Sequence, residues 1–307
     1  MTDQGKYLLG VFFSLLYILI ASAQSVMLNI WLAGINVFLV VSLSFVVVTA
    51  VFGVVGFFKQ RSAYTVLFSQ WRLLLALNIF SMFNWLFYFL AVKYLEPSVA
   101  VTLTQGIGPV SMTIYLLLTR QSVSLVTRCC HFAILIAAVT MCIYAVLIRS
   151  VYSQYSKPEI MVGIVIAVMC SFSITATVIV SKRFAISNVP ASALLSLRFL
   201  LLVIVCQSIF SLRYEMVLNA EVIYTIFLIG LVGVSTSIYF LQKGIELATP
   251  LAVSTVLALS PLAVFIIQLF IGHAPFSLFL FSMIMTIVVA SISSIIYDAR
   301  QIGKFNN

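Results

Sequence analysis

Trp85-Leu-Phe-Tyr-Phe-Leu-Ala-Val-Lys-Tyr-Leu-Glu-Pro-Ser-Val-Ala-Val-Thr-Leu-Thr-Gln-Gly-Ile-Gly-Pro109 returns in altered form later in the chain, as Ser237-Ile-Tyr-Phe-Leu-Gln-Lys-Gly-Ile-Glu-Leu-Ala-Thr-Pro-Leu-Ala-Val-Ser-Thr-Val-Leu-Ala-Leu-Ser-Pro261. Setting Pro109 on Pro261 gives an offset of 152, close to half of the 307 residues. The same offset matches Tyr88 to Phe240, Leu95 to Leu247, Ala100 to Ala252, Val101 to Val253 and Thr102 to Ser254. A membrane chain built as two copies of one unit is the plan of many proteins that move solutes across a bilayer.

The solvent follows from composition. Hydrophobic residues make up 64% of the chain, charged residues 7%, and mean hydropathy is +1.24. A soluble domain carries roughly 25% charged residues. This chain could not cover itself with polar surface, so it reads as an integral membrane protein. Its five cysteines (Cys129, Cys130, Cys142, Cys170, Cys206) fall in or beside apolar runs and read as small core residues. The first apolar run starts at Tyr7 without a convincing cleavage site, and so reads as a first helix.

A hydrocarbon core about 30 Å thick needs about 20 apolar residues per helix. Punctuation at charged, Pro and Asn clusters gives ten runs, near 7–30, 34–58, 70–93, 97–118, 129–149, 159–182, 190–211, 221–243, 250–271 and 275–297. With both termini cytoplasmic, eleven basic residues lie inside: Lys6, Lys59, Arg61, Arg72, Arg120, Arg128, Lys182, Arg183, Lys243, Arg300 and Lys304. Only Lys93, Arg149, Lys157 and Arg213 lie outside, and Arg198 falls within a helix. This asymmetry is the positive-inside pattern, and one helix more or fewer would scramble it. The net charge of +9 thus reports topology and contact with anionic lipid, not nucleic-acid binding. The expected class is an all-α membrane protein, with residues 1–152 and 153–307 as two five-helix repeats in one membrane domain. Five is odd, so the second repeat enters the membrane inverted, with a substrate site between the halves near the midplane.

On these features the chain resembles the drug/metabolite transporter superfamily in its EamA-like branch. The resemblance spans the whole length and rests on the ten short spans and the five-plus-five repeat. It also rests on the turn from an aromatic stretch into a proline-centred helix at Tyr88–Pro109 and Tyr239–Pro261. It implies a central cavity lined by the first, third and fourth helices of each repeat, working by alternating access. Families of this kind often carry an Arg in the second helix of each repeat. Here only Arg198 is present, with Val46 opposite it, so the pattern lacks a matched basic pair.

Polar groups are costly in a bilayer core, so their positions point to function or to helix contacts. In the fourth helix Ser98, Thr102, Gln105 and Pro109 share one face; in the ninth, Pro250, Ser254, Leu257 and Pro261 repeat it without the amide. Pro109 and Pro261 are expected to kink their helices, freeing a carbonyl. The third helix offers Ser81, Asn84 and Tyr88 with Trp85 beside them, and the eighth Gly230, Gly233, Thr236 and Tyr239. The first helix offers Ser14, Tyr17 and Gln24, and the sixth Ser173 and Thr177. These amides, hydroxyls and rings suit a small polar or amphipathic solute. Each could equally serve interhelical hydrogen bonding, worth about 0.6 kcal/mol per contact.

Arg198 is the sharpest residue. Counted from Pro190 it lies roughly 12 Å deep, and no carboxylate stands at that depth in the sequence. It must meet backbone carbonyls and hydroxyls, reach toward the cytoplasmic surface, or receive an anion; its family position favours a structural part. No Asp, Glu or His reads as mid-membrane, which favours facilitated transport or exchange, with Glu96 and Glu246 at helix junctions as fallback proton carriers. Cys129-Cys130-His131 lies at the start of the fifth helix without a second ligand cluster, and His273 reads as interfacial, so no metal and no cofactor are expected. No nucleotide-binding loop, nucleophile motif or paired carboxylates are present, so an enzyme is not expected.

The favoured expectation is therefore a multi-pass transporter in the cytoplasmic (inner) membrane, carrying a small metabolite, amino-acid-like or otherwise polar or amphipathic. An organic-anion or nucleotide-derivative carrier using Arg198 is the alternative, and a lipid-modifying membrane enzyme the alternative of another class. No Gly-x-x-x-Gly face marks an oligomer contact, and oligomeric state stays open.

Overall fold

The computed structural model describes residues 3–147, 155–214, 220–272 and 275–305. Among them there is no strand. Ten helices are long and apolar enough to cross a membrane: Gln4–Trp31, Val37–Lys59, Trp71–Tyr94, Pro97–Leu118, Leu125–Leu147, Lys157–Ile186, Ala191–Arg213, Ala220–Leu247, Pro250–Ile271 and Leu278–Tyr297. They are numbered first to tenth below, and they make the chain a multi-pass membrane protein. Most ends fall within four residues of the sequence expectation. The tenth helix is the exception, continuing to Phe305. A short helix, Arg61–Ser69, links the second and third spans. His273, Arg149 and Glu215 lie outside the described residues.

Local chemistry sets the ends. Asn36 caps the second helix by accepting from the amides of Phe38 and Leu39, as N-cap side chains do for otherwise orphaned donors. Ser156 and Glu159 form a reciprocal capping box at the sixth helix. Pro97 and Pro250 stand in the first turns of the fourth and ninth, where a missing N–H costs nothing. Gly272, at φ 72°, ends the ninth helix in the left-handed conformation that suits glycine.

Four helices are interrupted. The fourth passes through a π-helical stretch, Thr102–Gly106, and resumes at Gly108 just before Pro109. The ninth stops at Leu257 and resumes at Ser260 just before Pro261. Both breaks lie where the proline ring removes a hydrogen bond. The eighth carries a π-helical stretch at Ile229–Ser235. The seventh breaks between Leu197 and Leu200, at Arg198 and Phe199, with no proline nearby. Breaks of this kind are tolerated at membrane depth only where protein or a wet cavity satisfies the freed backbone.

The helices pack in matched pairs. The first lies against the eighth and the sixth against the third. The first also meets the ninth, and the sixth meets the fourth. The second packs on the seventh, the fourth on the ninth and the fifth on the tenth. Where the first and eighth cross, an added Cβ on Gly244 would meet Ser14 Oγ and, at 3.1 Å, the Gly10 carbonyl.

Candidate functional site

The site is built around the break in the seventh helix. Arg198 is 1% exposed, the largest fully buried side chain in the described protein. Its Nε donates to Ser81 Oγ at 2.9 Å and one terminal nitrogen donates to Gln242 Oε1 at 3.3 Å. Its Cζ lies 5.3 Å from the centre of the Phe199 ring. Among the described residues no carboxylate pairs with it. Guanidinium offers five N–H donors in a rigid fork, and two contacts leave that fork largely unspent.

Asn78 of the third helix holds the break itself. Its Nδ2 donates to the Leu197 carbonyl at 2.9 Å, and its Oδ1 accepts from the Leu201 amide at 3.2 Å. One amide thus bridges the two halves of the seventh helix and replaces backbone bonds lost at Arg198 and Phe199. The same face of the third helix continues through Ser81, Trp85 and Tyr88, all buried.

Above Arg198 the polar column turns aromatic. Tyr17 of the first helix is buried as well. Tyr88 shares a 2.7 Å hydrogen bond with Ser25. Phe45 packs at 4.8 Å from Phe199 and 5.0 Å from Trp85, and Trp85 lies edge-on to Tyr88 at 5.8 Å. Gln24 lies on Gly233, where an added Cβ would come within 2.9 Å of its side chain. Several buried polar atoms have no partner, among them Gln24 Nε2, Trp85 Nε1 and Gln242 Nε2, with Ser22 Oγ and Thr177 Oγ1. Buried polar groups are paired in the great majority of cases. Two of the unpaired donors stand close to the buried charge along the chain: Gln242 Nε2 belongs to the amide that bonds Arg198, and Trp85 lies one turn from Ser81, which also bonds it.

The remaining candidates are dispersed. Gln105 is buried, but its Oε1 already accepts from Ser260 at 2.6 Å. Thr102 and Ser254 bond their own helices, through the carbonyls of Ser98 at 2.7 Å and Leu251 at 3.0 Å. Ser173 likewise donates to the Met169 carbonyl at 3.0 Å. Asn84 turns toward the sixth helix and receives the Cys170 thiol on its backbone carbonyl at 3.2 Å. Thr236 is exposed, and Tyr239 is 37% exposed and stacks on Phe52 of the second helix. Their outward position follows from the π-helical stretch before them. Each i→i+5 turn takes in one more residue than an α turn, so an α-helical count from Gly230 loses phase. The hydroxyls of Ser235 and Thr236 bond the carbonyls five residues back, of Gly230 and Leu231, as that geometry requires.

Three contributors escape a sequence reading. Gln242 looks terminal beside Lys243 when the span is ended at 243, but the eighth helix runs on to Leu247, which places it more than a turn inside and fully buried. Asn78 shares its face with Ser81, Trp85 and Tyr88 at spacings of three, seven and ten, but Asn84 marks a second polar side of the same helix, and the pattern alone does not choose between them. Ser25 gives no signal before Tyr88 is seen opposite it.

His131 also moves inward. The fifth helix starts at Leu125, so His131 lies nearly two turns in, is 2% exposed, and bridges Thr113 at 2.6 Å and Ser294 at 3.4 Å. Among the described residues no three His, Cys, Asp or Glu side chains gather into a metal site, and the cysteines read as core residues include the buried Cys170 and Cys206. Glu246 lies in the last turn of the eighth helix, paired with Lys243 at 2.7 Å. Lys182 donates to the Glu246 and Ala248 carbonyls at 2.9 and 2.8 Å, capping that helix.

No protein-family model matches the chain, and no curated protein matches it. Among solved structures, one crystal structure, described only as that of a protein, superposes with a TM-score of 0.70 at 18% sequence identity. The match covers 98% of this chain and 99% of the other. At that identity the likeness shows a shared fold over nearly the full length of both chains.

Proposed function

We propose that the protein is a secondary transporter of a small organic metabolite, amino-acid-like or otherwise polar or amphipathic, working by alternating access. The reading takes residues 1–152 and 153–307 as inverted five-helix repeats, as in the EamA-like drug/metabolite transporters the sequence resembles. Exchanging the first five helices for the last five carries the first–eighth contact into the sixth–third contact, and first–ninth into sixth–fourth. The second–seventh, fourth–ninth and fifth–tenth contacts map onto themselves. A pseudo-twofold axis in the membrane plane requires that exchange. The observation that carries the functional reading is the buried column from Gln242 and Arg198 to Tyr88 and Gln24, which draws on both halves and leaves polar atoms unpaired. The protein on this reading lies in the cytoplasmic membrane with both termini inside, uses no cofactor and catalyses no covalent reaction.

Proteoliposomes loaded with single metabolites test it. Saturable, protein-dependent counterflow of at least one small solute is expected. A topology with an odd number of spans, found by reporter fusions in each loop, would defeat the inverted-repeat plan.

A further inference from the structure

We infer that the solute carries a carboxylate, and that Arg198 and Gln242 receive it while Trp85, Phe45 and Phe199 border its apolar body. This deepens the transporter reading and rests on it for the word solute, although the binding site stands on geometry alone.

Three observations converge. The first is the sign and isolation of the charge: Arg198 is 1% exposed, and no carboxylate among the described residues neutralises it. An uncompensated buried charge is strongly destabilising. Ser81 and Gln242 each give the guanidinium a single neutral acceptor, which orients the fork without cancelling its charge.

The second is the kind of group left over. Gln242 turns its Oε1 to Arg198, which fixes its Nε2 as a donor, and that Nε2 has no partner. Trp85 Nε1, one turn along the helix from Ser81, is also a buried donor without a partner. The surplus here is of N–H groups. A ligand that answers it is rich in acceptors, and a planar carboxylate fits a guanidinium fork in bidentate fashion. A cation or a carboxyl-free amine would add to the surplus.

The third is the wall. Trp85, Phe45 and Phe199 form a contiguous aromatic cluster beside the guanidinium. An anion with an apolar body can place its charged end on Arg198 and its body against these rings. Aromatic rings also attract the ammonium of an amino acid, so both simple organic acids and amino acids fall within the class.

The test uses the full-length protein in detergent and in proteoliposomes. Benzoate, 3-phenylpropionate and phenylalanine are compared with benzamide, 3-phenylpropionamide and phenylalaninamide, which keep shape and lose the carboxylate. At least one carboxylate is expected to raise the thermal unfolding midpoint in a saturable manner by binding the folded state, with no effect of its amide. Arg198→Lys keeps a charge but loses the fork and should weaken apparent affinity about tenfold or more, a loss typical of one bidentate contact. Gln242→Leu should weaken it several-fold. Stabilisation by amides equal to that by acids, or by neither series, overturns the assignment, as does undiminished carboxylate binding in a folded Arg198→Gln protein. If Arg198→Gln fails to fold, the wild-type acid–amide comparison and Gln242→Leu decide. Counterflow separates the two readings. Carboxylate stabilisation without counterflow of any solute keeps the anion site and removes the carrier. Counterflow of neutral solutes without a carboxylate response keeps the carrier and removes the anion site.

Discussion

Replacing Asn78 with Leu isolates the support of the broken seventh helix. The wild-type amide donates to the Leu197 carbonyl at 2.9 Å and accepts from the Leu201 amide at 3.2 Å, across a gap where the helix lacks its own bonds. Leu is close in volume and apolar, so the change removes these two bonds, a third from Nδ2 to the Leu74 carbonyl of its own helix at 3.0 Å, and little packing. Membrane hydrogen bonds average about 0.6 kcal/mol each, which for the two across the break sets a floor near 1 kcal/mol. A buried group left unsatisfied costs about 1–3 kcal/mol, and part of that is recovered as the break relaxes. We therefore expect a loss of about 1–4 kcal/mol. The assay is reversible denaturant unfolding in mixed micelles, read by intrinsic tryptophan fluorescence. Asn84→Leu is the matched control: it removes the same amide from the same helix, where its Oδ1 meets only the Cys170 thiol at 3.7 Å. That variant should stay within about 0.5 kcal/mol of wild type, as changes away from such features do. Equal losses in the two variants, or no loss in Asn78→Leu, would refute the role given to Asn78. Because Arg198 sits inside the break, Asn78→Leu should also weaken carboxylate binding.

Further expectations concern packing, the buried histidine and the helix cap. Gly230→Ala brings a Cβ to 2.7 Å from the Ser44 carbonyl oxygen, against backbone that cannot give way, whereas Gly53→Ala meets nothing within 4 Å. The first should cost about 1–3 kcal/mol and the second be neutral or gain up to about 1 kcal/mol from helix propensity, by the same unfolding assay. His131→Ala leaves Thr113 and Ser294 facing a cavity; a loss of about 1–3 kcal/mol, unchanged by chelators, is expected in thermal melts with and without EDTA. Lys182→Met removes the cation from the Glu246 and Ala248 carbonyls and should cost about 0.3–2 kcal/mol. Increased amide exchange confined to the last turn of the eighth helix would locate that effect.

Ten helices and the break points at Pro109 and Pro261 were legible in the sequence, because a bilayer demands runs of fixed length and proline cannot donate to a helix. Ser98, Thr102 and Gln105 of the fourth helix are all buried, as their shared face in the sequence implies, although the π-helical stretch Thr102–Gly106 shifts the phase within that face. The faces of the third and eighth helices were not legible. In the third, polar residues stand on two sides, and Asn84 and Asn78 are indistinguishable until the sixth and seventh helices are in place. In the eighth, the π-helical stretch at Ile229–Ser235 rotates everything after it, turning Thr236 and Tyr239 outward and leaving Ser237 and Gln242 buried. What the sequence determined by itself was therefore the solvent, the number of crossings and the lone buried Arg198, all of which follow from the cost of polar groups in hydrocarbon. Only the tertiary structure decided what Arg198 touches. Ser81 and Gln242 lie 117 and 44 residues away along the chain, and hydrogen bonds between helices depend on rotation and register that no periodicity within a single helix specifies.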